Sequence, residues 1–211
     1  RHPEAVEEES SDDMRFLGAR GIGLVVALLV VAHPAYAQGL AYGAKGGLDL
    51  TRVHFGSSFA PDTGTSAGVV GGGFVAWRLA VGFDLRGEVL VAQERANFDS
   101  VITDTIRTLD VPVLVRYRAA SPAGHAIHVS AGIVVRRVFD AIESAAGESS
   151  SIADGVTRSN QALAAGGSIV ILSHWTADVR YLQSRKGLYK KIGGGTEGKT
   201  RTVQVTVEYQ F

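Results

Sequence analysis

The chain has 211 residues, room for one domain, and 26 of them are Gly. It contains no Cys, which excludes disulfides and thiolate metal centres. Its 21 Lys and Arg balance 21 Asp and Glu, so no charge surplus points to nucleic acid as a partner.

Residues 1–13 (RHPEAVEEESSDD) are acidic, polar and unpatterned. They read as a disordered leader, a mis-called translation start or a cloning remnant, because the amino end of a secretion signal carries positive charge. Residues 14–37 have the three parts of a signal peptide: Arg15 and Arg20, an apolar run from Gly21 to Ala32, and Ala35-Tyr36-Ala37 as a cleavage site before Gln38. A membrane-spanning helix would need about 20 apolar residues, and this run stops sooner, at His33-Pro34. Removing residues 1–37 leaves 18 Lys and Arg against 15 Asp and Glu, a slight basic surplus.

From Gln38 onward the chain alternates. In 40–53, Tyr42, Ala44, Gly46, Leu48 and Leu50 share one face, and Gly43, Lys45, Gly47, Asp49 and Thr51 the other. A polar stretch, 54–67, carries turn residues Pro61, Asp62 and Gly64. A second strand, 68–79, sets Val69, Val75, Trp77 and Leu79 on one side. A third, 82–95, sets Phe83, Leu85, Val89 and Val91 against Asp84, Arg86, Glu88 and Glu94. After a medium loop, 96–104, a fourth strand, 105–118, opposes Leu109, Val111, Val113, Val115 and Tyr117 to Asp110, Leu114 and Arg116. Pro112 inside it removes a ladder hydrogen bond and predicts a local bulge.

A compact turn, 119–124, leads to a fifth strand, 125–139, apolar at Ile127, Val129, Ala131, Ile133 and Val135. The longest loop spans 140–157. The sixth strand, 158–172, is small and weakly polarised. A minimal turn at Ser173 precedes the seventh, 174–185, where Trp175, Ala177, Val179 and Tyr181 oppose Thr176, Asp178 and Arg180. A Gly- and Lys-rich loop, 186–199, returns to the last strand, KTRTVQVTVEYQF, whose Val203, Val205, Val207, Tyr209 and Phe211 face away from Thr202, Gln204, Thr206, Glu208 and Gln210. An aromatic carboxy-terminal residue with a second aromatic two positions earlier is typical of strands that close barrels in the bacterial outer membrane.

Eight strands with connections alternating long and short predict an all-β fold: an antiparallel up-and-down transmembrane β-barrel over 38–211, preceded by a signal peptide. Such a barrel has its short turns and both termini on the periplasmic side of a Gram-negative outer membrane. Strands of this length suit a tilted crossing, and closure satisfies every backbone group where lipid offers no partner.

The segments YGAKGGLDL, FDLRGEVLV, LDVPVLVRY, LAAGGSIVI and VRYLQS, in that order and spacing, resemble the PorT-like outer-membrane β-barrel family over nearly all of 39–211. The resemblance implies an eight-stranded outer-membrane barrel. It implies no reaction and supplies no catalytic residues.

The polar faces collect Lys45, Asp49, Asp84, Arg86, Glu88, Glu94, Asp110, Arg116, Arg136, Asp178, Arg180 and Glu208. Charge on the lipid side costs about 2–4 kcal/mol at the midplane, so these residues are expected to face inward and plug the lumen as mutual pairs. Tyr42, Trp77, Tyr117, Trp175, Tyr181, Tyr209 and Phe211 are expected to anchor the wall at the two membrane interfaces. No metal, cofactor or catalytic set is expected. Gly71-Gly72-Gly73 and Gly193-Gly194-Gly195 lack the Lys-Ser/Thr and helix of a phosphate loop, and the first reads as close strand packing. His125 and His128 fall on opposite strand faces. There is no Gly-x-Ser-x-Gly elbow.

The expected partners are outer-membrane lipid and the barrel-insertion machinery, the latter through the strand ending at Phe211. Tyr189, Lys190, Lys191 and the Ser-rich segment 144–151 offer loop contacts to lipopolysaccharide or another envelope protein. The expected role is non-enzymatic: structure, adhesion, or support of an export or envelope machine. Two alternatives stand beside it. One is a barrel enzyme acting on lipid through His128, His174 and loop serines. The other is a secreted lipocalin-like barrel, which needs its apolar faces inside around a ligand.

Overall fold

The computed structural model describes residues 39–54, 64–80, 82–98, 102–120, 126–145, 148–152, 155–187 and 198–211. The leader, the signal peptide and its cleavage site at Ala35, Ala37 and Gln38 lie outside the described residues, as do His125, the loop residues Tyr189, Lys190 and Lys191, and Gly193-Gly194-Gly195. Gly39–Phe211 forms one compact unit.

The strands are β1 (Leu40–His54), β2 (Ser66–Ala80), β3 (Phe83–Phe98), β4 (Ile102–Ala120), β5 (Ala126–Ala145), β6 (Glu148–Ser151), β7 (Ser159–Leu172), β8 (Trp175–Ser184) and β9 (Lys199–Gln210). Neighbours pair antiparallel from β1 through β5, then β7, β8 and β9, and β9 pairs back onto β1. Eight strands therefore close a barrel. The short β6 adds only to the upper part of β5, through Ile142–Ala145. The segment 140–157 is thus partly a hairpin rather than a loop, because β5 runs on past the wall to Ala145. β3 and β4 are likewise longer than their alternation alone suggests, leaving only 99–101 between them.

The register sets the shape. Stepping across paired residues from Tyr42 leads through Val75, Gly87, Val113, Ile133, Leu163, Gln183 and Arg201 and re-enters β1 at Arg52, ten residues from the start. Ten residues of about 3.3 Å against eight spacings of about 4.8 Å give a tilt of about 40°, as expected for an eight-stranded barrel. Climbing from Tyr42 to Arg52 along a strand so tilted covers about 25 Å, the height of the apolar band of an outer-membrane barrel.

Packing is inverted relative to a water-soluble protein. Val205 and Val207 are 45% and 47% exposed, whereas Arg180 and Glu208 are 2% and 3% exposed. A lipocalin-like soluble barrel needs the opposite arrangement and is excluded. Gly72 shows why glycines line the wall: a Cβ there would overlap the Val89 carbonyl oxygen and Leu90 Cα of the adjacent strand. Gly82, at φ 81°, makes the tight β2–β3 turn.

Pro112 does not produce the expected bulge. Its pairings toward β3 are missing opposite Glu88 and Val89, yet the register on either side is the same, with Gly87 opposite Val113 and Leu90 opposite Asp110. The missing N–H removes a ladder bond without inserting a residue. The irregularity in β4–β5 lies instead at Arg107/Thr108.

The inverted wall predicts a depth-dependent response to charge. Val205→Arg, at mid-wall, is expected to lower folding stability by about 2–4 kcal/mol, and Gln183→Arg, near the rim, by about 0–1 kcal/mol. Urea titration of the barrel in lipid vesicles measures both.

Candidate functional site: the filled lumen

Every second residue of each wall strand points inward, and the inward residues form layers. At the short-turn mouth, Arg116 holds Asp84 through two bonds of 2.6 and 3.2 Å, half-buried. Beside this pair the Ser168 hydroxyl lies 3.4 Å from His128 Nδ1.

The next layer is the densest. Arg180 donates two bonds of 2.9 Å to Glu88, and Arg86 donates two, of 2.9 and 2.7 Å, to Glu208. Arg86 Nε also lies 2.6 Å from Glu88. Lys45 sits among Glu88, Asp178 and Glu208 at 3.5, 3.3 and 3.2 Å. Three cations thus meet three carboxylates drawn from β1, β3, β8 and β9, and their formal charges cancel. Two-pronged guanidinium–carboxylate pairs fix orientation as well as charge. The Arg86 guanidinium also stacks on the Phe74 ring, 3.8 Å from its centre.

The mid-lumen is more apolar than strict alternation implies. Leu114, Val134, Ala162, Ala164 and Leu182 pack on one side, and Val70, Leu90 and Ala92 on the other. The small inward residues of β7, read from sequence as weak polarity, leave room for this packing and for Arg180, whose backbone a Cβ on Gly166 would crowd. Above, Arg136 spans two carboxylates, bonding Asp110 at 2.7 and 2.9 Å and lying 2.6 Å from Glu94. Asp49 pairs not with a cation but with the Gln204 amide at 3.0 Å.

An apolar roof cluster lies at the long-connection end. Val53, Ile106, Val138, Ala141 and Val156 form an apolar cluster with Ile152 against it. Bonds from Ile152 N to Ala141 O and from Val138 N to Arg158 O extend the β5–β6 and β5–β7 ladders beside this cluster. Sequence reading missed this roof because Ile152 and Val156 stand alone in a Ser- and Gly-rich stretch, without periodicity.

The aromatic residues sort differently from expectation. Tyr42, Trp77, Tyr117, Trp175, Tyr209 and Phe211 gather at the short-turn end, with Phe83. Ring centres are 4.9 Å apart for Trp175–Tyr209, 5.4 Å for Tyr209–Phe211, 5.8 Å for Tyr42–Phe211 and 4.8 Å for Phe83–Tyr117. Tyr181, opposite Ala165 and Val203, lies mid-wall. Depth depends on the register around the barrel, which a single strand does not reveal.

An outward apolar band of barrel height, wrapped round an ion-paired lumen, is the architecture of an outer-membrane protein. The model of the family described as outer membrane protein beta-barrel domain matches residues 23–211. The chain belongs to that family. Among solved structures, this outer-membrane barrel is similar to Neisserial surface protein A, at 13% identity and TM-score 0.52, covering 82% of this chain and all of that one. It is also similar to Ail, the attachment invasion locus protein of Yersinia pestis, at 18% identity and TM-score 0.47, covering 82% of this chain and 99% of that one. No curated protein matches.

Among the described residues no cluster of His, Asp and Glu has the geometry to hold a metal ion. The contact between Ser168 and His128 is long, and the adjacent Asp84 carboxylate is held by Arg116 rather than by the imidazole. The second candidate, His174, contacts the Gln210 carbonyl with Nδ1 at 3.0 Å.

Breaking a buried pair strands its partner. Arg180→Met is expected to cost about 3–5 kcal/mol, and adding Glu88→Met is expected to restore most of the loss, since Lys45 and Arg86 then still face Asp178 and Glu208. A double-mutant cycle by urea unfolding checks this.

Proposed function

We propose that this barrel is a sealed, non-enzymatic element of the outer membrane, with a structural or adhesive role or one in supporting an envelope or export machine. The observation that carries this reading is the filled lumen: a cancelling ion cluster, apolar mid-layers and an apolar cluster at the long-connection end leave the long connections and outer surface as the parts able to meet a partner. The charge network works as the plug, and the aromatic ring anchors one interface. Within the family the PorT-like reading rests on the order and spacing of its five short segments.

In this reading the short turns and both termini are periplasmic, and the strand ending at Phe211 engages the insertion machinery. The long connections face outward, toward lipopolysaccharide or another envelope protein. A lipid-directed enzyme is the weaker alternative, since among the described residues no third group bonds the His128 ring beside Ser168, and the ladder occupies strand N–H groups that would otherwise bind an oxyanion.

Planar bilayers test the plug: the barrel is expected to show no stable, large ion-permeable openings, and their appearance would sink the sealed-lumen reading. Orientation is testable because the chain has no Cys. Ser150→Cys is expected to react with an impermeant maleimide on intact cells, and Ser173→Cys only after the outer membrane is breached.

A further inference from the structure

The basic residues at the two ends of the barrel face differently. At the long-connection end Arg52, Arg137, Arg185 and Arg201 are exposed, in step with outward Leu50, Val135, Tyr181 and Val203. At the short-turn end Arg78, Arg116 and Arg118 hold inward positions, in step with buried Phe74 and Ala76 on β2 and with buried Leu114 on β4. The register sets Arg78 opposite Asp84, Asp84 opposite Arg116, Arg118 opposite His128 and His128 opposite Ser168. Basic groups from β2, β4 and β5 thus form an arc inside the mouth, on the lumen side of the aromatic ring.

This arc carries more positive charge than its surroundings balance. Among the described residues Asp84 is its one side-chain carboxylate, and Arg116 holds it. Deeper in the lumen Glu208 is taken by Arg86 and Lys45. The short connections at this end bring no acid: residue 81 is Val, residues 121–125 read SPAGH and residues 173–174 read SH. The carboxy-terminus lies beside Tyr42, where the Phe211 amide bonds the Tyr42 carbonyl oxygen at 3.1 Å. Arg78 and Arg118 form no ion pair with it or with any carboxylate among the described residues, and both are exposed.

We propose that the short-turn mouth docks an acidic peptide segment presented from the periplasm, with Arg78 and Arg118 each taking one carboxylate. Lipid is disfavoured as the occupant, because both residues stand on the lumen side of the wall, behind the aromatic ring that meets the bilayer. A compact dianion such as phosphate is disfavoured too. Arg78 and Arg118 flank Asp84, so a single anion bridging them lies against its carboxylate, whereas two carboxylates spaced along a chain avoid that repulsion. The two Cα positions are about 12 Å apart, two strand spacings across and two residues along. Carboxylates three or four residues apart on an extended chain span about the same distance. The inference rests on removal of the signal peptide and on the short turns facing the periplasm, but not on the lumen being sealed.

The test uses the protein extracted from outer membranes into detergent, with heat-dependent gel mobility confirming the folded barrel for every variant. Fluorescence anisotropy at low ionic strength, where exposed charges are least screened, measures binding of a labelled peptide in which two Glu are separated by two Ser. The same peptide with Gln in place of Glu is the comparison, and inorganic phosphate and an anionic phospholipid are the competitors. The acidic peptide is expected to bind, and the Gln peptide much more weakly. R78Q/R118Q is expected to weaken the acidic peptide about tenfold or more, while R185Q/R201Q at the other end leaves it unchanged. Equal binding of the Gln peptide, equal binding by R78Q/R118Q, or an equal loss in R185Q/R201Q overturns the proposal. Displacement of the peptide by an equal concentration of phosphate or of the phospholipid overturns a peptide as the occupant. Micelles leave both mouths open, so a reversed orientation leaves this binding intact and shows instead in the cysteine labelling, and an open lumen shows as conductance.

Discussion

A bilayer offers the peptide backbone nothing to bond with, and every other feature of this barrel follows from that constraint. A sheet with free edges is intolerable there, so β9 returns to β1 and the eight strands close. Closure fixes a tilt, the tilt fixes a height, and the height decides which side chains meet acyl chains and which meet headgroups. The outward Val and Leu positions are therefore a solvent match rather than a core. What serves as the core is largely polar, because the lumen is where a side chain can be hidden from lipid.

Burying charge is costly, and the arrangement of pairs shows how the cost is met. Arg86 and Arg180 each present a two-pronged guanidinium to a carboxylate from a different strand, while Lys45 sits centrally among three carboxylates. The partners are distant in sequence, Lys45 from Asp178 and Arg86 from Glu208, so the network ties the first strands to the last across the lumen as well as around the wall. Shape is thus set twice, once by the backbone ladder and once by the ion pairs.

Much of this was legible in the sequence because strand faces have a period of two and lipid punishes any error in it. Val203, Val205 and Val207 against Gln204, Thr206 and Glu208 declare their sides without help from the rest of the chain. What escaped was whatever depends on other strands. The depth of Tyr181 depends on the register around the barrel, the roof residues Ile152 and Val156 carry no periodicity, and the apolar mid-lumen at Leu114 and Leu182 breaks the rule that inward means polar. Pro112 was overread for a related reason: the lost ladder bond was visible, but its neighbours' ability to keep register was not. The partners within the plug were equally hidden, since nothing in the spacing says that Glu88 meets Arg180 or that Asp49 takes an amide rather than a cation.

The basic residues at both rims bear on how long the barrel stays where it is put. To slip back through the bilayer it would have to drag Arg52, Arg137, Arg185 and Arg201 through hydrocarbon, at about 2–4 kcal/mol for each at the midplane. The opposite rim carries Arg78 and Arg118 beyond its aromatic residues, so passage in either direction meets a barrier of this kind. Residence in the membrane is therefore governed by the rate of escape, independently of how firmly the fold itself is held.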